Sequence, residues 1–321
     1  MGSRVKTEKG WSTVRAGGME ILQAAPLARL DWLVHGFSTR VGGASQLANG
    51  ARALNLGFTE WDTRERVERN REQFLAALLR ASRPSKNGRR GSTRAALCTL
   101  RQIHSDAAHH FTAHQSRAPK GDAALGRTPG LLLAVQTADC LPILLADTRH
   151  RAVAAIHAGW RGTLRRIAEK TLGRMRMQFG TRPAEVVAAI GPGIGGCCYE
   201  VGHEVVQAFA AQFVAAREWF ASPPLSGLQK YAPTFDDLAT GVEPLPLKWL
   251  TMAPPGHEPP PPRLYLDLVA ANRWQLREAG VAEKNIVASG LCTACRTDLL
   301  FSYRREQGRT GRLLGVIGIR S

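Results

Sequence analysis

Three short aliphatic runs, at 131–135, 143–146 and 152–156, dominate the middle of the chain and are separated by turn-prone polar residues. None has the length or period of a helix, so each reads as a buried strand. Between the last two lies Asp147-Thr148-Arg149-His150, a polar break of hairpin-loop length. Strands folded about that loop place Cys140 opposite His157. Opposed residues of an antiparallel pair share a face, with Cβ atoms about 4.5–5.5 Å apart. A one-residue slip would send the two side chains to opposite faces. The hairpin thus predicts a thiolate and an imidazole that can grip one metal ion.

Gln102-Ile103-His104 follows the strand-like stretch 96–100 and offers a third ligand. One Cys with two His suits zinc, and three protein ligands with an open fourth position mark a catalytic site. Spacing alone leaves the plainer reading open. A single Cys in an apolar run is commonly a small core residue, and a His at a strand end a satisfied polar group.

Longer motifs run nearly the whole length of the chain. They include His35-Gly36-Phe37-Ser38-Thr39-Arg40-Val41-Gly42-Gly43, Leu54-Asn55-Leu56-Gly57, Asn70-Arg71 and Gln102-Ile103-His104. Thr137-Ala138-Asp139-Cys140-Leu141-Pro142 and Ile156-His157-Ala158-Gly159-Trp160-Arg161-Gly162 follow. Cys197-Cys198-Tyr199-Glu200-Val201-Gly202, Leu266-Asp267-Leu268, Ser289-Gly290-Leu291-Cys292-Thr293 and Phe301-Ser302-Tyr303-Arg304-Arg305 complete the series. In this order the motifs resemble the YfiH, or laccase-domain, family over residues 30–320. The resemblance implies a layered α/β/α sandwich with mixed sheets, related to Cys-His hydrolase-like folds. It implies zinc held by His104, Cys140 and His157, the trio reached above, with Cu(II) able to occupy the same site. Ser38, Arg40, Asn55 and Arg161 become candidates for holding substrate or phosphate, with Arg40 and Arg161 foremost because guanidinium groups bind phosphate in a bidentate way. Ser105, Gly193 and Gly196 depart from the residues most often found at those places.

Helices and strands alternate, which is an α/β or α+β pattern. The expected order is a disordered tail over 1–19 and a single catalytic domain over 20–321. Within the domain, helices are expected after Asp62-Thr63, over 163–179, over 203–213 and over 267–280. Strands are expected at 186–190, 285–289 and 313–319, with a basic insertion at 82–95 and a Pro-rich one at 222–263. The Gly-rich turn 191–196 lacks the Gly-Lys-Ser/Thr ending of a phosphate loop. Cys292 and Cys295 have CxxC spacing but no second such pair, and read as incidental core thiols. The adjacent Cys197 and Cys198 are not expected to point at one site, though one of them can line a pocket. His109, His110 and His114 read as a solvated surface patch.

The formal charge of +17 invites a nucleic-acid reading. Much of the excess lies in the N-terminal stretch and the basic insertion, and no nucleic-acid-binding motif accompanies it, so no specific nucleic-acid partner is expected. No apolar run approaches the length of a membrane span, no secretory signal is visible, and six cysteines without a regular framework suit a reducing compartment. A cytoplasmic monomer or homodimer is expected.

Three activities fit these residues. The first, implied by the resemblance, is zinc-dependent phosphorolysis of adenosine, inosine and S-methyl-5'-thioadenosine, with adenosine deamination alongside. The second is a copper-dependent polyphenol oxidase, although the chain has nine His and no His-x-His pair for a multicopper cluster. The third is a hydrolase or editing factor in peptidoglycan synthesis, with Cys140 as nucleophile and His157 as base.

Overall fold

A computed structural model describes residues 10–82, 95–221, 235–240 and 264–321. Nearly all of the basic insertion, most of the Pro-rich insertion and residues 1–9 lie outside the described residues.

The first strands are Trp11–Ala16 (β1), Met19–Ala24 (β2) and Leu33–Ser38 (β3). After the helix Arg64–Ala81 (α1) come Ala96–Thr99 (β4), Ala108–His110 (β5), Ala123–Gly126 (β6) and Leu131–Thr137 (β7). The central hairpin is Leu141–Asp147 (β8) and Ala152–Ala158 (β9), followed by the helix Ile167–Phe179 (α2) and Val186–Ile190 (β10). His203–Gln212 (α3), Leu268–Glu278 (α4), Ile286–Ala288 (β11) and Leu313–Ile319 (β12) close the fold. One six-stranded sheet runs β1-β2-β3-β12-β7-β4 and the other β11-β10-β8-β9-β6-β5. Both are mixed, because β4 pairs in parallel with β7, β5 with β6 and β10 with β11.

Strand alternation decides the layers. Leu133 and Val135 of β7 meet Leu144 and Ala146 of β8 and Val153 and Ala155 of β9 in one apolar layer between the sheets. Leu132 and Ala134 point the other way, onto Phe74, Ala77 and Leu78 of α1. On the far side Ile143, Leu145, Ala154 and Ile156 pack against Ala168, Leu172 and Met175 of α2. Helices therefore lie outside, as expected of the α/β/α sandwich, and its β layer is two sheets thick. Each face is the period-two half of a strand that is buried on both sides.

The expectation of a disordered tail over 1–19 does not hold from Trp11 onward. β1 and β2 form a hairpin, paired from Trp11 with Ala24 to Ala16 with Met19. Gly17 and Gly18 make its turn with φ of 60° and 76°, a left-handed pair that glycine adopts without strain. Trp11 supplies the anchor, its ring 5.2 Å from Phe37. The helix expected over 163–179 is also interrupted. A short helix, Trp160–Leu164, ends before Arg166, whose φ is 61°, and α2 begins at Ile167. The break turns the chain out of the site before α2 crosses the sheet.

His35, on β3, is buried and its Nε2 accepts the Ala24 N–H at 3.1 Å. Burial pushes its pKa down to about 4. The unfolded chain takes up a proton below about pH 6.5 that the folded chain refuses until about pH 4, so stability falls with pH across that window. Going from pH 7 to 4.5, this residue is expected to remove about 2–3 kcal/mol. Urea midpoints of the wild type and His35→Gln, which keeps an acceptor, should converge as the pH falls; parallel pH dependences would contradict this assignment.

Candidate metal centre

β8 and β9 pair with Pro142, not Cys140, opposite His157. The register lies two residues from the expected one because Asp147 stays in the strand, paired with Ala152. From there its carboxylate accepts the N–H groups of Arg149 and His150, both at 2.9 Å, and builds the turn that the sequence reading starts one residue earlier. A two-residue shift preserves the face. Cys140, just before β8, still converges with His157 near the end of β9.

The donor atoms of His104, Cys140 and His157 all lie within 4.8 Å of one another. The two imidazole rings meet nearly edge-on, with centroids 5.0 Å apart. His157 is buried, Cys140 partly so, and His104 exposed, which leaves the trio open on the His104 side. Gly159 lets the backbone close in. A Cβ there would sit 2.8 Å from Cys140 Sγ.

One carboxylate organises the trio. Asp122, fully buried, accepts His157 Nδ1–H at 2.9 Å and the His104 N–H at 3.0 Å on one oxygen. The other oxygen takes the Ile103 N–H at 3.3 Å, and the Ser105 N–H and hydroxyl at 2.7 Å each. Burial works against its charge, but the hydrogen bonds from His157 and Ser105 hold its pKa down at about 2. His104 itself sits in the left-handed region at φ 56°, a conformation these bonds to its own and neighbouring N–H groups maintain. With Nδ1 committed to Asp122, His157 turns Nε2 toward the site, the arrangement of a ligand histidine backed by a carboxylate. Gln102 ties the His104 loop to β7, its amide exchanging hydrogen bonds with both backbone groups of Gln136 at 2.7 and 2.8 Å.

Burial pushes the Cys140 thiol up, but the adjacent His157 and hydrogen bonds from both histidines prevail and bring its pKa to about 6. A thiolate beside two imidazoles is a donor set that fits a tetrahedral zinc with one position open. Such an ion would be held by sulfur and nitrogen donors already within mutual reach.

The neighbouring Asp139, at φ 93°, is held by its own partners. Its carboxylate accepts the Thr293 hydroxyl and the Arg304 N–H, both at 2.6 Å, and its carbonyl the Ile194 N–H at 2.7 Å. Three separate segments thus pin the residue before Cys140. Burial and the charge of Cys140 both push the Tyr199 phenol up, with Arg304, Asp139 and Arg161 also acting on it. Arg312 in turn feels Tyr303, Asp139 and Cys140. Arg161 and Arg304 thus act on Tyr199, on which Cys140 also acts, and Arg312 interacts with Cys140 itself.

Three residues expected to hold substrate or phosphate are committed elsewhere. Ser38 is buried and its hydroxyl accepts the Leu314 N–H at 2.9 Å. Arg40 uses Nη1 for the carbonyls of Thr297 and Leu300 and for an ion pair with Glu306, while its guanidinium stacks on Phe301. Asn55 is buried, donates to Thr59 and Asp62, and accepts the N–H groups of Gly57 and Arg312. These polar groups satisfy the backbone of the fold, as buried polar groups must. Arg161 differs. It is exposed, its guanidinium lies 4.5 Å over the Trp160 ring, and that side chain makes no hydrogen bond or ion pair among the described residues. Asp122 escaped the sequence reading, though Gly121-Asp122-Ala123-Ala124 places an acid at the mouth of an apolar run.

The chain is 36% identical to a purine nucleoside phosphorylase of Deinococcus radiodurans over 95% of its length and 94% of the relative's. It is 35% identical to adenosine deaminase RL5, from an unknown prokaryotic organism, over 60% of this chain and 59% of that one. The crystal structure of YlmD from Geobacillus stearothermophilus superposes with a TM-score of 0.72 at 28% identity, covering 96% of this chain and 99% of that chain. The model of the family described as multi-copper polyphenol oxidoreductase laccase matches residues 34–239 and 249–320. The chain belongs to this laccase-domain family.

Proposed function

We propose that the chain is a zinc-dependent purine nucleoside phosphorylase, acting on adenosine, inosine and S-methyl-5'-thioadenosine at His104, Cys140 and His157. The observation that carries this reading is the open trio backed by Asp122, on a chain similar over 95% of its length to a protein named purine nucleoside phosphorylase. When bound, zinc supplies Lewis acidity at the open fourth position. In the reaction an oxygen of phosphate forms a bond to C1' of the ribose. The bond from C1' to N9 breaks, and its electron pair leaves with the purine, which takes up a proton.

The residues of the chain bind and orient. Arg161 has an uncommitted guanidinium, Arg304 adds positive charge at Tyr199, and Arg312 adds it toward Cys140. Together they favour an anion there, and fixed charges need little reorganisation as the reaction proceeds. Tyr303 is 54% exposed and its ring lies 5.6 Å from the Arg312 guanidinium, which offers a flat apolar face for a purine. Inosine with phosphate should yield hypoxanthine and ribose 1-phosphate, read by phosphorus NMR; hypoxanthine release at the same rate without phosphate would convert the proposal into a hydrolase.

Arg161→Ala is expected to lower kcat/KM for phosphate at least tenfold, mainly through KM, while KM for inosine changes little. Each charge-assisted hydrogen bond of a guanidinium contributes about 1.5–3 kcal/mol. Lys at this position should recover part of the loss, since it keeps the charge but not the fork. Unchanged phosphate kinetics would shift the anion site to Arg304 and Arg312.

Adenosine deamination is a second reading, favoured by the likeness to the deaminase RL5. It exchanges the C6 amino group for the oxygen of water and needs no phosphate. Multicopper oxidation is disfavoured by the donors present. Among the described residues, the groups able to hold an ion contain at most two histidines each, too few for a cluster of oxygen-reducing coppers. No helix among the described residues is long and apolar enough to cross a membrane.

A further inference from the structure

Four cysteines outside the trio converge where two loops meet. Cys197 and Cys198 lie in the loop after β10, and Cys292 and Cys295 in the loop after β11, strands that run side by side in parallel. All four sulfurs lie within 4.8 Å of one another. Cys295 Sγ is 3.6 Å from that of Cys197 and 3.4 Å from that of Cys198. A zinc ion with four sulfur ligands at about 2.3 Å sets its sulfurs about 3.8 Å apart. The distances observed are near that edge, whereas a disulfide requires about 2.05 Å.

The backbone explains how adjacent cysteines serve one centre. The N–H groups of Cys198 and Tyr199 both reach the Gly195 carbonyl at 2.9 Å, which curls the loop and swings both sulfurs to one side. The sequence expectation that Cys197 and Cys198 diverge fails on this turn. Cys295 is exposed, so the expectation of a core thiol fails as well. The facing loop is locked to the first by the Thr293 N–H on the Gly193 carbonyl at 3.0 Å. The Gly195 N–H points at Cys292 Sγ at 3.2 Å, the kind of hydrogen bond that steadies a metal-bound thiolate.

We propose that Cys197, Cys198, Cys292 and Cys295 form a second, structural zinc site with four thiolate ligands. It staples the two loops together behind the trio. Ile194 and Thr293, one from each loop, hold Asp139, the residue before Cys140. The site has no open position, so its role is to fix that wall and not to bind substrate.

The full-length protein, purified in reducing buffer, is measured for zinc per chain alongside Cys198→Ser and Cys295→Ser. Each variant should carry one zinc fewer than the wild type. Cys98→Ser, which removes a buried thiol outside the cluster, should carry the same amount as the wild type. Because the readout is a difference, it stands whether or not the trio holds zinc. A second measurement needs no variant. Titrating the wild type with a mercurial should release zinc in step with loss of the four thiols, and cobalt substitution should give the strong sulfur-to-cobalt charge-transfer bands of a tetrathiolate. Equal zinc in wild type and both variants, iron in place of zinc, or an intact mass showing a disulfide among these cysteines would each overturn the proposal.

Discussion

Cys140→Ala is expected to empty the His104–Cys140–His157 site and to reduce kcat/KM at least a thousandfold, with the fold intact. The variant loses the only thiolate of the trio and leaves two imidazoles, one of them on an exposed loop. Two neutral ligands bind zinc far more weakly than three ligands that include a thiolate. The side chain removed is small and lies just before β8, so little packing is lost. Metal content and turnover measured on one preparation check the outcome together. If the trio supplies the catalytic zinc, turnover vanishes and zinc content falls by one ion per chain; if Cys140 were a nucleophile in a metal-free hydrolase, zinc content would be the same in wild type and variant.

Asp122→Ala should be more damaging than its distance from solvent suggests. Removing the carboxylate strands the N–H groups of Ile103, His104 and Ser105 and frees His157 to change tautomer. Each donor left without a partner costs about 1–3 kcal/mol, so the three together cost roughly 3–9 kcal/mol. Asp122→Asn separates the two roles. It retains one acceptor and most of the volume but loses the charge that holds the Nδ1 proton. It is expected to fold, with zinc affinity at the trio about 10–100-fold weaker. Thermal unfolding and competitive chelation report these separately. Wild-type zinc affinity in a folded Asp122→Asn would remove Asp122 from the centre.

The reach of the sequence follows from what each feature depends on. Elements with a strong period were legible: α1, β10, α3, α4 and β12 lie where apolar spacing places them, because each buries a regular face. The trio was legible because parity survives a two-residue register shift. The shift itself was not, since it hinges on Asp147 bonding two N–H groups from inside the strand. Asp122 was hidden for a related reason. Its partners come from the segment around residue 104 and from β9, far apart in sequence, so no local pattern marks it. Arg40 shows the converse. Its motif suggests an anion site, yet the groups that claim its guanidinium lie beyond residue 296. The four-cysteine cluster needed both a loop turn and a parallel strand pair, neither readable from spacing.

The measurement that bears most directly on the central claim is turnover of adenosine with ordinary phosphate in water enriched in oxygen-18. Phosphorolysis forms the new bond to C1' with an oxygen of phosphate, so ribose 1-phosphate should appear without label. Any deamination should place one label on C6 of the inosine formed. Unlabelled ribose 1-phosphate, produced in proportion to free base and lost in Cys140→Ala, is the predicted result. Labelled free ribose in place of ribose 1-phosphate, or base release that persists in Cys140→Ala, would contradict it.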